Sequence, residues 1–271
     1  MQEQNYKVDI FVGILLVVGL FIGQSFAYAI GLGLSALFGE DISGSGPFNI
    51  FMYVATMAVP ILLFDFFVAR KEGVKLSFDF STKPFRIYLL IFPMMLGMMM
   101  VADYTTQLIP TTGGFLGEVY KMYTDQFAKL ASSPISLIIM TVILAPILEE
   151  ILFRGIIMKG LINNKVKPVT AIIVSAFIFG AVHFNPWQFA GAFLLGLVLG
   201  LVYYKTKSLL MPMLLHAFNN GISAMIMLYS ESENFSDILH ISKEMVLVIG
   251  IVVFAVPFYF FAIHKNIIYK D

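Results

Sequence analysis

The sequence predicts an all-α protein, a polytopic transmembrane bundle of about eight spanning helices with both termini in the cytoplasm. Three observations predict it. The first is composition. The chain has 271 residues, of which 59% are hydrophobic and 13% charged, about half the charged share of an ordinary soluble domain. Its mean hydropathy is +0.88. A soluble globule of this length could not hide so much apolar surface, whereas lipid can solvate it. The second is a series of apolar stretches close to the ~20 residues that a bilayer crossing needs. The third is a one-sided distribution of lysine and arginine.

The apolar stretches are 10–38, 47–69, 85–109, 134–162, 168–186, 187–204, 208–229 and 244–263. The first follows Lys7 and contains Ala27-Tyr28-Ala29, which resembles a signal-peptidase site. Glu3 and Asp9 outweigh Lys7, however, and the run is too long for a signal core, so it reads as a spanning helix. Gly44-Ser45-Gly46-Pro47 reads as a loop, and Lys83-Pro84, Ser133-Pro134 and Lys167-Pro168 as helix starts. The connection 110–133 contains Gly113-Gly114 and then an amphipathic stretch from Tyr120 to Leu130, expected to lie in the membrane interface. The fifth and sixth stretches are short and meet at Asn185-Pro186, the least distinct boundary in the chain.

With the N-terminus inside and eight crossings, 14 basic residues fall at the inner side: Lys7, Arg70, Lys71, Lys75, Lys83, Arg86, Arg154, Lys159, Lys165, Lys167, Lys205, Lys207, Lys265 and Lys270. Only 3 fall outside: Lys121, Lys129 and Lys243. The positive-inside rule favours this orientation. Glu40, Asp41, Glu231, Glu233 and Asp237 then lie in outer loops. Formal net charge is zero and says nothing about partners, and the lack of cysteine excludes disulfides, thiolate metal sites and cysteine nucleophiles. One membrane domain is expected. Helices 1–3 and the connecting loop occupy 1–133, a core of helices 4–7 occupies 134–229, and the last helix and tail occupy 230–271.

Ionisable groups inside spanning helices are costly and mark function by default. Three clusters stand out. In Glu149-Glu150-Ile151-Leu152-Phe153-Arg154 the two carboxylates point about 100° apart around the helix, while Glu150 and Arg154 share a face at the spacing of a helix ion pair. Glu149 is left for another task, although a wholly structural salt-bridge cluster would use the same residues. In Phe179-Gly180-Ala181-Val182-His183 a lone histidine is more often a packing residue, and Phe179, one turn away on its face, reads as packing in any case. In His216-Ala217-Phe218-Asn219-Asn220 the first and last residues share a face and Asn219 turns away. Interhelical hydrogen bonding would explain that pair as well. Depth links the clusters. Measured from the cytoplasmic helix ends, Glu149, His183, His216 and Asn220 lie at roughly 20, 22, 12 and 18 Å. Independent packing residues have no reason to share a layer.

Taken together, Glu-Glu-x-x-x-Arg at 149–154, Phe-x-x-x-His at 179–183 and His-x-x-x-Asn at 216–220 resemble the three motifs of the CAAX protease and bacteriocin-processing family of intramembrane proteases, which includes the type II CAAX prenyl endopeptidases. The resemblance covers roughly 134–229, without departure at the motif positions. It implies an eight-helix membrane enzyme, located in the cell membrane, that hydrolyses peptide bonds in or beside the bilayer. It implies that Glu149 and His183 activate water, that His216 and Asn220 stabilise the oxyanion, and that Glu150 and Arg154 support them. The chemistry is coherent: a glutamate general base with a histidine to orient the water, and two donors on one helix face for the oxyanion. Arg154 or a protonated histidine would help keep Glu149 ionised. Water must reach such a site, so a polar cavity open to the cytoplasm is expected.

Glu149, His183 and His216 could instead hold Zn²⁺ with a fourth position for water, but the compact His-Glu-x-x-His helix of zincins is missing. A metal-free site is the preferred expectation. Gly196 and Gly200 form a GxxxG spacing for which helix packing is sufficient reason. Two other functions would use the same polar cluster: a non-enzymatic membrane protein for bacteriocin immunity or scaffolding, and a transporter, for which the expected inverted repeats are not evident. The expected partners are the bilayer and a peptide or membrane-protein substrate, not a nucleic acid.

Overall fold

A computed structural model describes residues 6–42, 44–230, 232 and 234–263. Glu3, Glu231, Glu233, Lys265 and Lys270 lie outside the described residues. Among the described residues every regular element is helical. The helices are α1 (Ile10–Phe38), α2 (Gly46–Glu72), α3 (Phe85–Thr106), α4 (Gly114–Ala131), α5 (Pro134–Asn163), α6 (Pro168–Ala181), α7 (Pro186–Thr206), α8 (Leu210–Tyr229), α9 (Phe235–Leu239) and α10 (Lys243–Ile263).

Local sequence explains the boundaries. Asp9 accepts a hydrogen bond from the Val12 backbone N–H at 2.9 Å to cap α1, and Asn185 accepts one from Gln188 at 2.8 Å to cap α7. Prolines open α5, α6 and α7, where the missing N–H has no intrahelical partner to lose. Gly39 and Gly73 terminate α1 and α2 in the left-handed region.

Among the described residues, six helices are long and apolar enough to cross a membrane: α1, α2, α3, α5, α7 and α10. The protein is a multi-pass membrane protein, and these helices agree with six of the stretches read from the sequence. The other two stretches are helical but fall short of that standard of length and composition. α6 has 14 residues, about 21 Å of helix against a hydrocarbon core of ~30 Å. α8 has 20 residues, but His216, Asn219 and Asn220 dilute its hydropathy. The boundary at Asn185-Pro186 is a real break between α6 and α7.

With no hydrophobic effect to drive association in lipid, the bundle depends on close backbone approach. On α1 the buried positions are Leu16, Gly19, Gly23, Ala27 and Gly31, a small-residue stripe against α2. Phe11, Phe21 and Leu32 remain exposed, as lipid-facing residues would. α3 meets α10 in the same way. A Cβ added to Gly97 would lie 2.4 Å from the Phe254 backbone nitrogen. Gly97→Ala is therefore expected to push the two helices apart at a cost of about 1–3 kcal/mol. A lowered melting temperature in detergent is the readout, and an unchanged one would refute this packing account.

α5 carries the first motif and lies among α2, α6 and α8. It is not a uniform helix. Residues 138–144 and 151–158 have widened, π-helical turns on either side of the α-helical 145–150. Pro146 cannot donate a backbone N–H, and its ring crowds the preceding turn, which a π turn relieves. Such bulges occur preferentially at functional sites, and here they bracket Glu149 and Glu150. The far end of α5 is held by an N-terminal strap. The Tyr6 hydroxyl donates to the Gly155 carbonyl, and the Val8 N–H donates to the Gly160 carbonyl at 3.1 Å. Burial pushes the Tyr6 phenol well above its usual pKa.

Candidate active site

The Glu149-Glu150 pair lies at the centre of the bundle, and the two carboxylates face different neighbours, as their helical offset requires. Glu149 Oε1 accepts a hydrogen bond from the Tyr53 hydroxyl of α2 at 2.6 Å. Its Oε2 is 3.7 Å from His216 Nε2. Glu150 and Arg154 are wholly buried and form an ion pair at 2.8 Å, the i,i+4 arrangement expected from the sequence. Arg154 Nη2 also donates to the Gly196 carbonyl at 3.1 Å, and the guanidinium lies 4.6 Å from the centre of the Phe179 ring. A Cβ added to Gly196 would lie 3.1 Å from Ala176 Cβ and 3.2 Å from the Phe179 ring, so glycine here lets α7 pack closely on α6.

His216 is oriented from below. Its Nδ1 is 3.0 Å from Glu150 Oε1. Because that oxygen also takes the Arg154 hydrogen bond, Glu150 connects the guanidinium to the imidazole. With Nδ1–H donating to Glu150, Nε2 is the atom that faces Glu149. His183, beyond the end of α6, donates its Nδ1–H to the Phe179 carbonyl at 2.8 Å, which leaves Nε2 as the acceptor of the neutral ring. Asn220 is fixed through both ends of its amide: Nδ2 donates to the Thr141 carbonyl at 2.7 Å, and Oδ1 accepts from Asn219 at 2.9 Å.

Glu149, His183, His216 and Asn220 all line one cavity of about 560 Å³. Glu150 and Arg154 do not line it. They belong to a floor that includes Leu152, Phe153, Ile156 and Met158, each at most 1% exposed. That floor decides which end of the bundle the cavity meets. The cavity runs from Glu149 toward Thr106, Gln188, Met227 and Phe235, at the end of the bundle where α4 lies. This is the end that the basic-residue count assigns to the outside, not the cytoplasm.

Among the described residues, no three His, Cys, Asp or Glu side chains are grouped closely enough to hold one metal ion.

Sequence reasoning missed three contributors. Tyr53 holds the Glu149 carboxylate. Phe179, read as packing only, has its ring edge-on to His183 and His216, with centroids 5.5 and 5.6 Å away. Asp103 of α3 lines the cavity and accepts from Gln107 at 2.8 Å. Tyr53 and Asp103 sit in apolar helices far from the motifs, with no spacing to signal them.

Comparison with known proteins bears on the motif-bearing part of the chain. Residues 131–222 match the family described as Type II CAAX prenyl endopeptidase Rce1-like. The Rce1-like segment contains Glu149, Glu150, Arg154, Phe179, His183, His216 and Asn220, and it leaves out Tyr53 and Asp103. Two curated proteins are similar to this chain. One is the membrane-embedded CAAX protease MroQ of Staphylococcus aureus (strain USA300), 34% identical over 85 residues, which are 29% of this chain and 34% of that protein. The other is YdiL of Bacillus subtilis (strain 168), whose name as a membrane peptidase is itself provisional. It is 32% identical over 114 residues, 42% of this chain and 45% of YdiL. The chain thus spans less than half the length of either relative. No solved structure matches the chain.

Proposed function

We propose that this protein is an intramembrane endopeptidase that hydrolyses peptide bonds of membrane-associated proteins or peptides with a glutamate-activated water. The observation that carries the reading is the 3.7 Å approach of Glu149 to His216 in a cavity also lined by His183 and Asn220. The Rce1-like match supports the same reaction class.

In this reading Glu149 takes a proton from a cavity water, and His183 Nε2 accepts a hydrogen bond that orients that water. The hydroxide attacks the peptide carbonyl carbon. His216, positioned by Glu150 as a carboxylate positions the histidine of a triad, donates to the resulting oxyanion through the Nε2–H of its imidazolium form. Asn220 has one Nδ2 hydrogen committed to Thr141 and offers the other. Collapse of the oxyanion expels the amine, which takes the proton from Glu149 and restores the carboxylate. Tyr53 is a positioning residue whose short hydrogen bond stabilises the ionised base.

Reconstituted protein incubated with a library of apolar peptides should generate new N-termini detectable by mass spectrometry. Asn220→Ala should lower kcat by about 10²- to 10³-fold, the usual effect of removing one oxyanion donor, with KM little changed. A wild-type rate for Asn220→Ala would remove Asn220 from the mechanism. A complete absence of Glu149-dependent cleavage by the wild type would count against the reaction itself.

A further inference from the structure

The two ends of the bundle differ in chemistry, and only one leads to the cavity. At the first end the strap, the loops 73–84 and 164–167 and the start of α8 are joined directly. Asn164 Nδ2 donates to the Val8 carbonyl at 3.2 Å, the Leu209 N–H donates to the Asp79 carbonyl at 2.7 Å, and the Ser208 hydroxyl donates to the Ser81 carbonyl at 2.6 Å. Lys205 reaches the Phe261 carbonyl at 2.8 Å, which brings the end of α10 to the same level. This end carries Lys7, Arg70, Lys71, Lys75, Lys83, Arg86, Lys159, Lys165, Lys167, Lys205 and Lys207, while the other carries only Lys121, Lys129 and Lys243 among the described residues. The buried floor around Arg154 separates the first end from the site. The cavity instead meets the second end, where Tyr123, Phe127 and Leu130 of α4 form its rim and Trp187 packs on Tyr120 at 4.9 Å.

Because the basic end of a polytopic protein faces the cytoplasm, we propose that the site is loaded from the extracytoplasmic side, beneath α4. Its substrates are then exported peptides or extracytoplasmic segments of membrane proteins, not cytoplasmic C-termini. The assignment of substrates rests on the endopeptidase reading, but the direction of access does not. The rim supports it chemically. Aromatic and aliphatic side chains of an amphipathic helix lie where a lipid-associated peptide would leave the interface, while Gln188, Asn219 and Ser223 on the cavity wall can solvate a polar backbone.

The chain has no cysteine, so single-cysteine variants report access without background. Met227→Cys lies on the cavity wall at the α4 end, Ser230→Cys is exposed at that end, and Lys75→Cys is exposed at the basic end. Intact cells are treated with a membrane-impermeant sulfonated maleimide. Met227→Cys and Ser230→Cys should be labelled, and Lys75→Cys only after permeabilisation. Labelling of Lys75→Cys in intact cells, or failure of both other variants until permeabilisation, overturns the proposal. Labelling of Ser230→Cys without Met227→Cys refutes access to the cavity from that end. Each variant is scored against its own labelling in detergent, which separates misfolding from protection. A reversed pattern in a protein that still cleaves in a Glu149-dependent way would reject the direction while leaving the peptidase reading intact.

Discussion

Glu149→Gln is expected to reduce turnover by at least about 10²-fold and toward 10⁴-fold, the range over which a positioned general base contributes, while leaving expression and thermal stability near wild type. The substitution keeps the volume of the side chain and its ability to accept from Tyr53, whose hydroxyl lies 2.6 Å from Oε1. What it removes is the basic lone pair that takes the proton from water. A role for Glu149 in packing would give the opposite pattern, with Gln tolerated in turnover and Ala destabilising. Kinetics and melting curves measured on one purified preparation separate the two. Retention of wild-type turnover by Glu149→Gln would remove the general base from the mechanism.

Arg154→Ala should be the most destabilising of the substitutions, by about 3–5 kcal/mol, because it leaves the Glu150 charge buried without its cation. Glu150 is 0% exposed and its second oxygen has no hydrogen-bond partner, nor does Arg154 Nε. The pair is thus incompletely satisfied, and removing both charges should cost less than removing one. Glu150→Leu combined with Arg154→Met is expected to melt above Arg154→Ala. It should still be poorly active, since Glu150 also positions His216 at 3.0 Å. A double variant with both wild-type stability and wild-type turnover would show that the pair serves neither purpose. A melting temperature for Arg154→Ala equal to wild type would contradict the buried-pair argument directly.

Much of this was legible in the sequence because lipid restricts what a chain can do. Every backbone group in the hydrocarbon must be satisfied within its own helix, so spanning segments are long apolar runs with clear ends. The stretches 10–38 and 134–162 coincide with α1 and α5 almost to the residue. The Glu150–Arg154 pair was legible because spacing of four residues fixes a shared helix face. Convergence of the three motifs followed from depth alone. Depth does not say which side of a layer is packed and which is hollow, so it could not show that the cavity runs toward the α4 end. Tyr53 was not legible, since one tyrosine in an apolar helix carries no periodic signal. Phe179 looked like packing because two of its partners, Arg154 and His216, come from other helices. α8 falls short of a spanning helix by composition for the reason that makes it interesting: the polar groups it brings into the bundle are the ones that lower its apolar character.

The central claim is that Glu149, His183, His216 and Asn220 form one peptidase site. Its most direct test compares the N-termini of membrane and secreted proteins from cells carrying either the wild-type or the Glu149→Gln protein at equal abundance. The account predicts at least one internal N-terminus present with the wild type and lost with Glu149→Gln, with the uncut precursor accumulating in the membrane. Identical sets of N-termini in the two strains, under conditions where the protein is expressed, would contradict it.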